Sequence, residues 1–283
     1  MDARYPIRYS SHKALHFQFE RALDISRLFM TKQFLLRLLP KNLRSYQPAT
    51  LSEIFQKELS RNEIYEIMDV FFYQHLPWQF VEHRKYFSKN NRGFGEDAFH
   101  SMWFLLFSEF KPVNCLEIGV YRGQTLALWG LLAKHLKYSC NIECISPFSS
   151  AGDSVSQYKN EINYLDDTLK NHKYFKLDDP KICIEFSNSE KAKNFISQKK
   201  WDLIYIDGSH DYDIVCEDFE SSLNNLAPNG IIVMDDSSLY FDYTPGKKSF
   251  AGHPGPSRVA KKIAQNRLTL LGGVGHNNVF KKT

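Results

Sequence analysis

Residues 113–125 read Val-Asn-Cys-Leu-Glu-Ile-Gly-Val-Tyr-Arg-Gly-Gln-Thr. A short apolar run, Val113 to Ile118, ends in two glycines, Gly119 and Gly123, and a helix-forming segment, Leu126 to Leu136, follows at once. Strand, glycine turn and helix in that order build a ligand site at the carboxyl end of a parallel strand. Glycine lets the backbone there pass close to a bound molecule. Glu117 stands where a carboxylate can accept hydrogen bonds from a ligand's amino group or from turn amides. The glycine spacing narrows the ligand. A dinucleotide site needs G-x-G-x-x-G, whose second glycine admits a pyrophosphate. Here that position is Tyr121, which blocks the approach. Taken alone, the stretch also reads as a tight strand-to-helix turn without a ligand.

Two later stretches repeat the theme. Trp201 to Ile206 is a buried-type strand running into the polar turn Asp207-Gly208-Ser209-His210-Asp211-Tyr212. Gly230-Ile231-Ile232-Val233-Met234 is another, ending in Asp235 and Asp236. Ligands sit beyond the carboxyl ends of strands in open parallel sheets. An aspartate at such an end can also serve only as a helix cap or turn former.

The pattern Glu117-x-Gly119-x-x-x-Gly123-x-Thr125 resembles the first motif of the class I S-adenosylmethionine-dependent methyltransferases. Ile206-Asp207-Gly208-Ser209-His210-Asp211-Tyr212 and Gly230 to Asp236 resemble the fourth and fifth motifs of a subfamily that includes macrolide and sugar O-methyltransferases. The resemblance covers roughly residues 96–283. It implies an α/β fold, a doubly wound, mostly parallel seven-stranded Rossmann-like sheet with a terminal antiparallel hairpin. It implies S-adenosylmethionine as cofactor and O-methylation of a small molecule, a sugar or secondary metabolite. It places cofactor contacts at Glu117, Gly119, Tyr121, Gly123, Thr125, Ser187 and Asp207. The family's second strand ends in an acid that holds the ribose hydroxyls, and this sequence has Ser146 there. Ser146 with a water, Asp153 folding back, and weak or absent cofactor binding are the competing expectations.

The chemistry of methyl transfer asks for alignment of acceptor, methyl and sulfur, and for removal of a proton. Asp207, Asp235 and Asp236 are candidates for an all-oxygen Mg2+ site, since that hard cation prefers carboxylates and water. The plain alternative is that they cap helices. His210, at fixed spacing from Asp207, is the first candidate for a general base, because imidazole titrates near working pH. His253 follows it, in a loop from Ser237 to Pro256 long enough to be a substrate-binding element. His276 lies in the turn of the terminal hairpin.

Composition sets the frame. The chain has 283 residues, 22 of them Phe and 15 Tyr, enough for one large domain with an extension and an aromatic-lined pocket. Residues 1–95 read as a helical N-terminal extension, and 96–283 as the cofactor-binding domain. No apolar run approaches the roughly 18 residues of a spanning helix, and no secretory signal is evident. Five cysteines, three of them in expected strands, suggest neither a disulfide framework nor zinc, so a cytoplasmic location is expected. The net charge of +4 is too small to argue for nucleic acid. Residues 1–44 hold nine Lys/Arg and three Asp/Glu, and so carry +6. Phe17 to Leu39 reads as a basic amphipathic helix. It can pack on the domain, on a second subunit as a homo-oligomer contact, or on a membrane. The last option goes with a second reading, a non-catalytic cofactor-binding protein recruited through its basic N-terminus.

Strands are expected at 113–118, 141–146, 181–186, 202–207 and 230–235, and helices near 124–136, 155–171, 188–198, 211–225 and 256–265. A further helix, 96–109, carries Phe99, Trp103, Phe104 and Phe107. The segments 268–271 and 277–281 read as a hairpin.

Overall fold

Asn114–Ile118 forms β1, and its apolar residues bury on both faces because helices cover both sides of a parallel sheet. Parallel to it run β2 (Asn141–Ile145), β3 (Lys181–Cys183), β4 (Trp201–Ile206) and β5 (Leu226–Met234). β6 (Thr269–Val274) and β7 (Asn277–Lys281) close the sheet, in the order β3-β2-β1-β4-β5-β7-β6, with β7 antiparallel to both neighbours. The order reverses direction at β1, so the ends of β1, β2 and β4 open on a crevice. The computed structural model describes residues 46–149, 155, 158–159, 161–246 and 249–283. The basic helix expected at 17–39 and Asp153 lie outside the described residues.

The crossover helices are α5 (Gln124–His135), α6 (Tyr164–Tyr174), α7 (Glu190–Ser197), α8 (Tyr212–Asn225) and α9 (Pro254–Val259). They follow α1 (Leu51–Phe55), α2 (Arg61–Gln74), α3 (Trp78–Ser88) and α4 (Asp97–Phe110). Several boundaries differ from expectation, and β5, for one, starts at Leu226 and not at residue 230. β3 stops at Cys183 because it is the edge strand, and the chain turns at once, leaving Ile184 and Phe186 half exposed. Helix α6 starts at Tyr164, where the Asn163 side chain accepts the Asp166 N–H as an N-cap.

Gln47–Thr283 is one compact unit, so α1 to α3 belong with the sheet. Ser60 and Glu63 form a capping box that starts α2. Arg61, in its first turn, reaches the terminal hairpin and donates to the Asn278 Oδ1 at 2.7 Å and to Ser238. Its burial pulls the guanidinium down to about 10. Between α3 and α4 the imidazoles of His83 and His100 meet at 3.0 Å, both fully buried. No helix among the described residues is long and apolar enough to cross a membrane.

Candidate active site

A cavity of about 980 Å3 opens at the carboxyl ends of β1, β2, β4 and β5. Its floor is the glycine turn. Gly119 has φ 92°, and a Cβ there would overlap the Asp207 carbonyl and the Gly208 Cα. This glycine is therefore required where β1 and β4 exit side by side, since Asp207 N donates to Ile118 O. Gly123, φ 75°, is the N-cap of α5 and packs on Thr168. Tyr121 lines the cavity and packs with Phe94, Tyr158 and Tyr164.

Glu117 is 3% exposed. The Thr125 hydroxyl and the Leu126 N–H face its carboxylate, yet Oε2 has no hydrogen-bond partner among the described residues. Burial, with Asp235 adding repulsion, pushes the carboxyl up to about 8. A buried acid with an unsatisfied oxygen in a cavity wall is the arrangement that a cationic group relieves.

Ser146 stands at the end of β2 as expected, but its hydroxyl is engaged. It donates to Val120 O at 3.2 Å and accepts from Phe148 N at 3.2 Å. The side chain thus ties the β1 turn to the β2 turn. Ser187 lines the cavity beyond β3 and faces the buried Asp218 of α8. Burial raises that carboxyl to about 7, against the pull of the serine hydroxyl.

The far wall gathers acids and imidazoles. Burial and the neighbouring carboxylates Asp235, Asp236 and Glu117 raise Asp207 well above the usual range, and it hydrogen-bonds Asp235. Asp235 lies 3.3 Å from the Nε2 of His276. Burial opposes the Asp235 charge, but His276, Asp207 and Tyr205 together hold it at about 2. Burial would lower His276, yet Asp235, Asp236 and Glu96 keep it up at about 9. Asp236, at φ 50°, accepts from His210 Nε2 at 3.0 Å and faces His253 Nε2 at 3.8 Å. His210 and His253 meet edge to face, ring centres 4.4 Å apart. The three expected metal-binding acids interact with one another at the strand ends, Asp207 hydrogen-bonding Asp235 and facing Asp236. Among the described residues, metal-capable groups are His210, Asp236 and His253, and Asp235, Asp236 and His276, neither including Asp207.

Sequence reasoning missed Glu96, which precedes α4 and is held by the Tyr65 hydroxyl at 2.6 Å while facing His276. It also missed Tyr205, Arg84 and Arg92 in the lining. Tyr205 lay in an apolar strand, Arg84 in a helical segment without a motif, and Arg92 in an expected turn. The aromatic helix α4 does supply Phe99 and Trp103 to the cavity.

Comparison with known proteins agrees with this architecture. Residues 116–237 match a family described as a methyltransferase domain. No curated protein matches the sequence. The S-adenosylhomocysteine-bound methyltransferase PaMTH1 of Podospora anserina is similar in structure, at 18% identity, over 73% of this chain and 88% of that one, with TM-score 0.52. An O-methyltransferase from Bacillus cereus, in complex with S-adenosylhomocysteine, is 17% identical over 78% of this chain and 100% of its own, with TM-score 0.52. At such identities the likeness is one of fold. The matched residues run from β1 to the exit of β5, the strands whose ends build the cavity, and this part of the chain is similar to a methyltransferase domain.

Proposed function

We propose that the protein transfers the methyl group of S-adenosylmethionine to an oxygen of a small-molecule acceptor held in this cavity. The observation that carries the reading is Glu117, a buried carboxylate with an unsatisfied oxygen in the glycine turn. The cofactor's ammonium supplies the missing donor and charge. When bound, the cofactor provides an electrophilic methyl. Phe99, Trp103 and Tyr205 wall the space above the turn and exclude water. The acceptor hydroxyl meets the acid–imidazole wall, where His210, oriented by Asp236, is the nearest base in the metal-free protein. An all-oxygen Mg2+ site at Asp207, Asp235 and Asp236 would have to displace contacts already made there. Asp207 bonds to Asp235, and His276 compensates Asp235.

The cofactors of two structural neighbours, both bound to S-adenosylhomocysteine, support the reading. A sugar or a secondary metabolite is the acceptor class that the sequence resemblance suggests, and the cavity has room for it beside the cofactor. Calorimetric titration with S-adenosylmethionine and S-adenosylhomocysteine is the test, followed by a screen of hydroxylated acceptors for S-adenosylhomocysteine release. Micromolar binding that weakens roughly 10- to 100-fold in Glu117→Gln is the expected result. A folded protein that binds neither compound at millimolar concentration refutes the proposal.

A further inference from the structure

We propose that His210, Asp236 and His253 form a site for a divalent transition-metal ion, of the zinc, iron or cobalt type, at the acceptor end of the cavity. The site is distinct in composition from an all-oxygen magnesium site. It rests on the methyl-transfer reading only for its role, not for its existence.

The geometry carries it. Both imidazoles present Nε2 to one oxygen, Asp236 Oδ2, at 3.0 and 3.8 Å. All three ligand atoms lie within 4.8 Å of one another. Four ligands at bonds of about 2.0–2.1 Å stand roughly 3.3 Å apart around a tetrahedral ion, midway between those two distances. At 3.8 Å, His253 stands at ion-pair and not hydrogen-bond distance from this oxygen. The other oxygen, Oδ1, faces His276 Nε2 at 3.6 Å, which turns Oδ2 toward the pair. The backbone holds the site rigidly. His253 N donates to Asp236 O at 2.8 Å, and Gly252 pairs with Ser237. Gly255 passes so close to the His210 carbonyl that a Cβ there would overlap it. Thus the loop expected as a substrate-binding element returns to the β5 exit, and it delivers His253 beside His210.

Two imidazoles and one carboxylate select borderline metals over magnesium. All three residues are half-buried and line the cavity, so open coordination positions face the acceptor. An ion there binds the acceptor oxygen and lowers its pKa, while His210 becomes a ligand and no longer a base. The alternative group with His276 is sealed, at 5% exposure, with Asp235 already engaged by its neighbours.

The test uses the full chain after exhaustive EDTA treatment, titrated with Co2+. The expected result is visible d–d absorption without the near-ultraviolet charge-transfer band that a cysteine thiolate would add. Zn2+ should displace the Co2+. His253→Gln, His210→Gln and Asp236→Asn should each weaken Co2+ binding by more than about tenfold, whereas Asp207→Asn should not. Circular dichroism and S-adenosylhomocysteine affinity, measured on each variant, separate metal loss from misfolding and from failure of the cofactor reading. Absent d–d bands, or Co2+ affinity unchanged in folded His253→Gln, overturns the proposal. Mg2+ binding that depends on Asp207 overturns it in favour of the all-oxygen site.

Discussion

Glu117 makes cofactor binding depend on pH in a way that can be calculated. Its carboxyl lies at about 8 in the free protein, against an ordinary value of 4.5. The amino-acid end of the cofactor carries an α-amino group with a pKa of roughly 7.9. The productive complex pairs a carboxylate with an ammonium, so affinity follows the product of the two fractions. Affinity should rise about 20-fold from pH 6 to pH 8 and fall again above pH 8.5. At pH 7 Glu117 should release about 0.9 of a proton and the amino group take up about 0.1, so binding expels about 0.8. Calorimetry of S-adenosylhomocysteine binding in phosphate and in Tris detects that proton as a difference in heat. Glu117→Gln should abolish the difference and weaken binding by roughly 10- to 100-fold, the value of a charge-assisted hydrogen bond.

The same group tilts stability. The unfolded chain releases this proton near 4.5, whereas the folded protein keeps it until about 8. Between those values the unfolded state binds fewer protons, so stability falls as pH rises, by about 3 kcal/mol at pH 7. Glu117→Gln removes that slope, and without ligand it should gain on the wild type between pH 5 and pH 8 in urea denaturation. Buffer-independent binding heat together with an unchanged slope would refute the assignment of Glu117.

Other consequences are equally direct. Gly119→Ala places a methyl group against the Asp207 carbonyl at a positive φ, so it should lower stability by about 3 kcal/mol. A thermal midpoint equal to that of the wild type would show that β1 and β4 can part there without cost. Ser146→Asp sets a carboxylate against the Val120 carbonyl that the hydroxyl now satisfies. It should destabilise the protein by about 1–3 kcal/mol and should not improve cofactor affinity, and tighter binding in calorimetry would restore the ribose role. Burial depresses both His83 and His100, the latter to about 3. Stability should therefore be lost as pH falls below 6.5, by about 2 kcal/mol per imidazole at pH 5. The difference between wild type and His100→Gln isolates this from the opposite slope of Glu117, and a difference that does not vary with pH would rule it out.

The local parts of this protein were legible in its sequence. Apolar runs that end in glycine or aspartate located β1, β4 and β5, because strands buried on both faces are mostly apolar before their exits. The glycine spacing and Tyr121 separated a methyltransferase turn from a dinucleotide one, since that choice rests on backbone clearance at single residues. The terminal hairpin was visible as two extended runs around Gly275-His276. What the hairpin touches was not. β7 inserts beside β5, pairing Met234 with Asn278, and only this brings His276 to Asp235 and Asp236. His253 reaches His210 because two glycines allow backbones to close over Asp236, a fact of tertiary approach and not of spacing. Ser146 looked like a weakened ribose ligand from its place at a strand end. Its hydroxyl is bound to the neighbouring turn, because β1 and β2 lie side by side in space. Sequence periodicity reports which faces are buried, whereas the partners of polar atoms depend on which strand ends become neighbours, and that is decided by the sheet order.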